Sequence, residues 1–352
     1  MNFASDNTAG AHPAILRALA DAATGRAMPY GNDPWTTRVA ARLAEIFETA
    51  VEVFPVATGT ACNALALSAL TPPWGAVLCH EAAHVQVDEC GAPEFFTAGA
   101  KLVPLPGPDG KIRPATLEAA LERAGFGIVH AVQPAALTLT QSTECGAVYR
   151  PDEIRALADL AHARGLGVHM DGARFANAVA ATGCSPADLT WRAGIDVLSL
   201  GATKNGAMAA EAVVFFDRGR ADRFAFRRKR AGHLFSKMRF LSAQLEAYLA
   251  DGLWLANAAH ANAMAKRLAD GLAALPAVAL LHPVEANAVF ARLPGPAIDA
   301  MAQAGFRFYR WPDERSDAIR LVTAFDTDPA DVDAFLARLR SILLIPAPAT
   351  AT

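Results

Sequence analysis

The strongest constraint on the fold is a rhythm. Between residues 36 and 216, short apolar runs alternate with longer stretches of helical period. The runs at 51–56, 76–79, 101–104, 128–132, 167–170, 197–200 and 212–216 read as strands. Stretches 36–47, 60–70, 114–124 and 151–164 between them read as helices, with Pro114 and Pro151 at first-turn positions where a missing N–H costs nothing. Strands joined through helices must mostly lie parallel, with helices covering both faces of the sheet. The chain is therefore expected to be α/β, with a mainly parallel seven-stranded sheet and its ligands at the carboxyl ends of the strands.

After residue 216 the rhythm changes. A basic run at 223–230 leads into helical sequence at 235–275, then strands at 288–293 and 319–323 and a helix at 329–343. We expect an N-terminal arm (1–18), a large domain (19–245), a smaller C-terminal α+β domain (246–345) and a disordered tail (346–352) that has no periodicity. A chain of 352 residues is long enough for such a division.

Composition removes several classes of function. Thirty-two basic residues against 35 acidic ones argue against a nucleic-acid or anionic-membrane binder. No apolar run reaches the roughly 18 residues that span a bilayer. Residues 1–7 lack the basic and apolar regions of a signal peptide. Cys62, Cys79, Cys90, Cys145 and Cys184 are scattered and never spaced Cys-x-x-Cys, so reduced thiols in a cytoplasmic protein are expected.

The chemistry centres on Lys204, which follows the 197–200 run among small residues. The preceding strand ends in Asp171-Gly-Ala-Arg174. A lysine amine that condenses with an aldehyde, and an aspartate that pairs with a pyridinium nitrogen, are the two demands of a pyridoxal 5'-phosphate site. Thr58-Gly59-Thr60, between a strand and a helix, suits a phosphate at a helix N-terminus, although the same tripeptide often only caps a helix. His84 follows the second strand, where a histidine can stack on a flat cofactor and move protons; it could equally be a loop histidine bonded to Glu89. His80 and His84 have metal-ligand spacing but no evident third ligand, so no metal site is expected. Asp171 could instead cap a helix, and Arg174 could be solvated or paired with Asp171. Arg320 sits among apolar neighbours on a strand, where a planar guanidinium suits a carboxylate. Two arginines near an aldehyde-binding lysine point to an amino-acid substrate.

In order along nearly the whole chain, Ser5-Asp6-Asn7, Tyr30-Gly-Asn-Asp-Pro34, Thr58-Gly-Thr60, His84 with Glu89, Thr140-Gln-Ser-Thr-Glu144 with Gly146, Asp171-Gly-Ala-Arg174, Lys204 and Arg320-Leu-Val-Thr323 resemble the low-specificity L-threonine aldolases, among the fold-type-I pyridoxal phosphate enzymes. The resemblance implies that Lys204 carries the cofactor and Asp171 binds its ring nitrogen. It implies that His84 stacks on the ring and assists at the substrate hydroxyl, and that Gly59 and Thr60 hold the phosphate. Ser5, Arg174 and Arg320 would surround the substrate carboxylate, with Arg174 also near the cofactor's phenolic oxygen. It further implies a homotetramer with active sites at a subunit interface, reached by Tyr30 and a basic residue of 227–230 from a neighbour. Two departures stand out. Asn205-Gly-Ala-Met-Ala-Ala210 replaces the Gly-Leu-Gly-Ala-Pro that follows the lysine in many members, and Ser142-Thr143-Glu144 replaces a segment ending in histidine. The second leaves the base at the β-hydroxyl and the diastereomer preference open.

The expected reaction is cleavage of a β-hydroxy-α-amino acid to glycine and an aldehyde. A β-eliminating lyase or aminotransferase on the same scaffold, and a non-catalytic homologue, stand beside it as alternatives.

Overall fold

The computed structural model of the chain describes residues 1–344, so the tail expected at 346–352 lies outside the described residues. The apolar runs become β1 (Glu52–Val56), β2 (Gly75–His80), β3 (Lys101–Leu105), β4 (Gln133–Thr140), β5 (Gly167–Gly172), β6 (Val197–Gly201) and β7 (Glu211–Phe215). These form one sheet in the order β1-β7-β6-β5-β4-β2-β3. Pairings β2–β3, β2–β4, β4–β5 and β5–β6 are parallel, and β7 runs antiparallel to both of its neighbours. Strands β2, β5, β6 and β7 are buried along their whole length, which is why they read as unbroken apolar runs.

One expected strand is wrong. Residues 128–132 form a turn at the surface, with Val129 96% exposed, and the fourth strand begins just after it. Pro134 hides β4 from a sequence reading, because proline removes a ladder donor. The pairing of β4 with β2 shifts register next to it, between Ala76 and Val77, as a bulge does. The helical stretch at 235–275 is also not continuous. Asp251 (φ 50°) and Gly252 (φ 72°) adopt left-handed backbone and part the helices Arg239–Leu249 and Leu253–Ala273.

A second, antiparallel sheet has the order β10-β11-β9-β8, from β8 (Ala279–Leu280), β9 (Ala288–Arg292), β10 (Tyr309–Arg310) and β11 (Ala318–Val322). Helices Leu253–Ala273, Gly295–Gln303 and Pro329–Leu343 close a core over it that includes Leu268, Val289, Ile319 and Phe335. The long helix belongs to both cores, giving Trp254 and Ala258 to the larger and Ala265 and Leu268 to the smaller.

The N-terminus laces the two cores together. Phe3 is buried against Phe335, its N–H donates to the Arg307 carbonyl (2.7 Å), and its carbonyl accepts from the Val322 N–H (2.8 Å). Further on, the His12 N–H donates to the carbonyl of Gly206 (2.8 Å). Ser5 and Asp6 are thereby held where the large sheet's loops meet the small sheet. No helix among the described residues is long and apolar enough to cross a membrane.

Candidate active site

The carboxyl ends of β4, β5 and β6 and the turns after β1 and β2 open onto one pocket. Six of the residues singled out from the sequence line it together: Gly59, Thr60, His84, Asp171, Arg174 and Lys204. Ser5 and Arg320 lie outside that lining; Ser5 is joined to it through Asp6 and Arg174.

The phosphate-type corner is the N-terminus of the helix Gly59–Leu70, directly after β1. Thr58 caps the helix, its side chain accepting from the Ala61 N–H at 3.3 Å. A Cβ at Gly59 would meet nothing within 4 Å, so the free N–H groups of this turn face open space.

Asp171 ends β5 and is almost fully buried. One of its oxygens accepts from the Ala173 N–H (3.0 Å) and the other from Asn63 Nδ2 (2.8 Å). The same Asn63 Nδ2 donates to Glu89 Oε1 (2.8 Å), which also takes His84 Nδ1 (2.8 Å). His84 thus reaches Asp171 through two intermediaries. Its bond to Glu89 pushes the imidazole pKa up, while burial pushes the Glu89 carboxyl up despite its partners. Both of His80's ring nitrogens are engaged, with the Gly107 carbonyl and the Ala82 N–H.

Lys204 lies in a tight turn after β6. Burial, reinforced by the positive charge of Arg174, lowers its pKa, which favours the neutral and nucleophilic amine. Asn205 anchors the turn: its Nδ2 donates to Tyr248 Oη (2.9 Å) and the Trp254 carbonyl (2.8 Å), and its own carbonyl accepts from Asn257 Nδ2 (2.9 Å). Gly206 follows at φ 111°, where a Cβ would also press on Asn257 Nδ2 at 2.9 Å. Glu211 at the start of β7 accepts from the Ala202 N–H (3.0 Å) and holds the turn from beneath. Burial pushes its carboxyl up to about 7.

Arg174 is paired with neither solvent nor Asp171. It makes a bidentate bridge to Asp6 on the N-terminal arm (2.7 and 2.9 Å), and Asp6 also accepts from Asn287 Nδ2 (3.0 Å). Ser5 donates to Asp6 at 3.4 Å and caps the first turn. Arg320, on β11, has no carboxylate partner within salt-bridge distance among the described residues and packs over the Trp311 ring. Burial, then Arg174, pushes its pKa down.

Sequence reasoning missed Asn63, Ser199 and Glu211, and noted Glu144 within a matching segment and at a departure without giving it a role; all four line the pocket. Asn63 did leave a signal, as an amide side chain amid the Ala- and Leu-rich turns of a helix that is buried almost throughout. So did Glu211, an acid opening a strand of buried apolar residues. Tyr30 stands apart, in an open groove with Met208, Lys229 and Phe235, where the Lys229 ammonium lies 4.9 Å from its ring centroid.

The model of the beta-eliminating lyase family matches residues 2–294. A low specificity L-threonine aldolase of a Pseudomonas species is 47% identical over 342 residues, 97% of this chain and 97% of that protein. One from Pseudomonas aeruginosa is 48% identical over 327 residues, 93% of each. The solved structure of the Leishmania major threonine aldolase aligns with a TM-score of 0.91 at 29% identity, covering 97% of this chain and 99% of that one. The chain belongs to the beta-eliminating lyase family, within its group of low-specificity L-threonine aldolases.

Proposed function

We propose that this chain is a pyridoxal phosphate-dependent aldolase. It cleaves L-threonine, L-allo-threonine and related β-hydroxy-α-amino acids such as phenylserine to glycine and an aldehyde. The observation that carries this reading is the convergence of a desolvated lysine amine, a buried hydrogen-bonded aspartate and an open helix N-terminus in one pocket. When bound, the cofactor supplies an aldehyde for an amine and a protonated ring that draws in the electron pair of a broken bond.

The residues fit that group. Lys204 offers an amine whose pKa is lowered by burial, and Asp171 keeps lone pairs beyond the two bonds it already accepts, so it can hold a ring N–H and keep it protonated. Gly59 and Thr60 would hold the phosphate with N–H groups and a hydroxyl. His84, fixed by Glu89, would stack on the ring and assist at the substrate hydroxyl. Arg320 is the cation best suited to take the substrate carboxylate, because it has no carboxylate partner among the described residues. Arg174 and Ser5 would complete that receptor, with Asp6 fixing the direction of the Arg174 fork.

We further read the protein as a cytoplasmic homotetramer with active sites at a subunit interface. Supporting this are its free cysteines and the open groove that Tyr30 and Met208 share with Lys229.

The test is Lys204→Ala with the cofactor supplied. Loss of the visible absorbance of the lysine-bound cofactor, together with loss of glycine and aldehyde release, is the expected result. Full activity would overturn the assignment, and pyruvate with ammonia as products would replace it by β-elimination.

A further inference from the structure

We infer that Glu144 is the group that takes the proton of the substrate's β-hydroxyl. The inference rests on the aldolase reading and names the base that this reading leaves open.

Glu144 lies in the turn after β4, within the pocket lining. Its Oε1 accepts from the His84 N–H (2.8 Å) and from Thr140 Oγ1 (2.8 Å), which fixes the carboxyl group in place. The turn is itself braced: Thr143 Oγ1 donates to the Asp109 carbonyl (2.7 Å) and accepts from the Ala147 N–H (3.1 Å). The other oxygen, Oε2, is buried and has no hydrogen-bond partner among the described residues. A rigidly held carboxyl with a bare oxygen beside a ligand pocket is costly unless something else is to occupy that place.

Elimination points the same way. Among the other titratable groups lining the pocket, Asp171 already accepts on both oxygens, and Glu211 is tied to Ala202. Arg174 is bridged to Asp6, Lys204 is assigned to the cofactor, and the buried Cys62 thiol is pushed well above its ordinary pKa. His84 Nδ1 is bonded to Glu89, which raises the imidazole pKa and favours its protonated form. Glu89 has a free oxygen too, but it does not line the pocket.

The groups facing Glu144 are Asp171 from β5, Arg174 beyond it, His84, Cys79 from β2, and Cys145 and Tyr149 from its own loop. Burial dominates, with Asp171 adding to it, and pushes the carboxyl up to about 7. A base of that strength is matched to neutral conditions.

In the step, the O–H bond breaks and its proton passes to Oε2, while the O–H pair becomes the carbonyl π bond of the aldehyde. The Cα–Cβ bond breaks with its pair left on Cα, and a proton later delivered to Cα completes glycine.

The experiment compares the cofactor-loaded wild type with Glu144→Gln, which keeps the size and an acceptor for the His84 N–H. Two readouts are taken: aldehyde release from threonine and phenylserine, and exchange of the glycine α-protons in heavy water by NMR. Glycine has no hydroxyl, so exchange needs the lysine and cofactor but not the proposed base. Cleavage should fall about 100-fold or more. Exchange should stay within about threefold of the wild type. The decline of wild-type kcat/KM as pH drops below about 7 should vanish in the variant. Cleavage and exchange falling together, or neither falling, would overturn the role of Glu144. A wild type that exchanges glycine but releases no aldehyde would instead overturn the aldolase reading.

Discussion

Asp171, buried near the end of β5, and Glu144, partly buried in the turn after the neighbouring β4, are acids that line the same pocket, yet they are equipped differently. Asp171 has a donor on each oxygen, one of them an asparagine that also holds Glu89. Glu144 has two donors on one oxygen and none on the other. Hydrogen bonds to the charged form keep a carboxylate ionised, whereas burial without them raises its proton affinity. The pair therefore separates an acid with a donor on each oxygen, suited to holding a ring nitrogen, from one with a bare oxygen whose pKa is raised by burial. The two arginines repeat the contrast, Arg174 bridged to Asp6 and Arg320 without an acidic partner.

The largest expected effect breaks the committed side. Asp171→Asn removes the buried charge while keeping the shape, and it should lower kcat/KM for threonine about 10³-fold, some 4 kcal/mol. Unlike Glu144→Gln, it should suppress glycine α-proton exchange as strongly as cleavage. If exchange survives in Asp171→Asn, the division of labour between the two acids is wrong.

A second carboxylate sharpens the comparison through stability. Glu211 has a folded pKa of about 7 against an ordinary value of 4.5. The native state thus binds a proton that the unfolded chain releases between those values. This contribution is fully present below about pH 4.5 and lost as pH rises through 7, an effect of roughly 3 kcal/mol at most. In the enzyme without cofactor, the wild type should lose urea resistance between pH 5 and pH 8 more steeply than Glu211→Gln. Parallel profiles for the two proteins would show that Glu211 is ionised throughout.

Asn63→Leu attacks the link between the paired acids. With its donor gone, Asp171 and Glu89 would each lose a buried hydrogen bond, at a cost of about 1–3 kcal/mol in unfolding free energy. Their mutual repulsion, no longer bridged, should also raise the pKa of His84 or Glu89, displacing the pH profile of cleavage.

How much of this was legible in the sequence follows the same physics. Lys204 and Asp171 end continuous apolar strands, and a charged group there has few structural excuses, so the committed half of the site was readable. So were most strands, because full burial on both faces leaves long apolar runs. Strand β4 was not, since Pro134 argued against it and exposed Ile128 and Val129 drew the strand too early. Asn63 was missed because its role depends on Glu89 and Asp171, 26 and 108 positions away, and Asp6–Arg174 spans 168 positions. Pairings of that kind are set by the docking of the arm, which no local pattern records. Asn205 stood out as a departure next to the lysine, and its bonds to Tyr248 and Trp254 explain it as an anchor.

The smallest expected effect separates the two arginines. Arg320→Lys keeps the positive charge but loses the planar fork that grips a carboxylate in two places. Having no carboxylate partner to abandon, it should leave the thermal midpoint nearly unchanged and raise KM for threonine about tenfold, or 1.4 kcal/mol. Arg174→Lys should act in the opposite sense. It breaks a bidentate bridge to an acid that is 2% exposed, so the arm should loosen and the thermal midpoint should fall before KM rises as far. Asp6 would keep Asn287 as its remaining strong donor, which limits the loss. Measured side by side, the two lysine variants distinguish a substrate receptor from an internal brace. If Arg174→Lys raises KM more than Arg320→Lys at unchanged stability, the substrate carboxylate sits on Arg174 and the bridge to Asp6 yields to it.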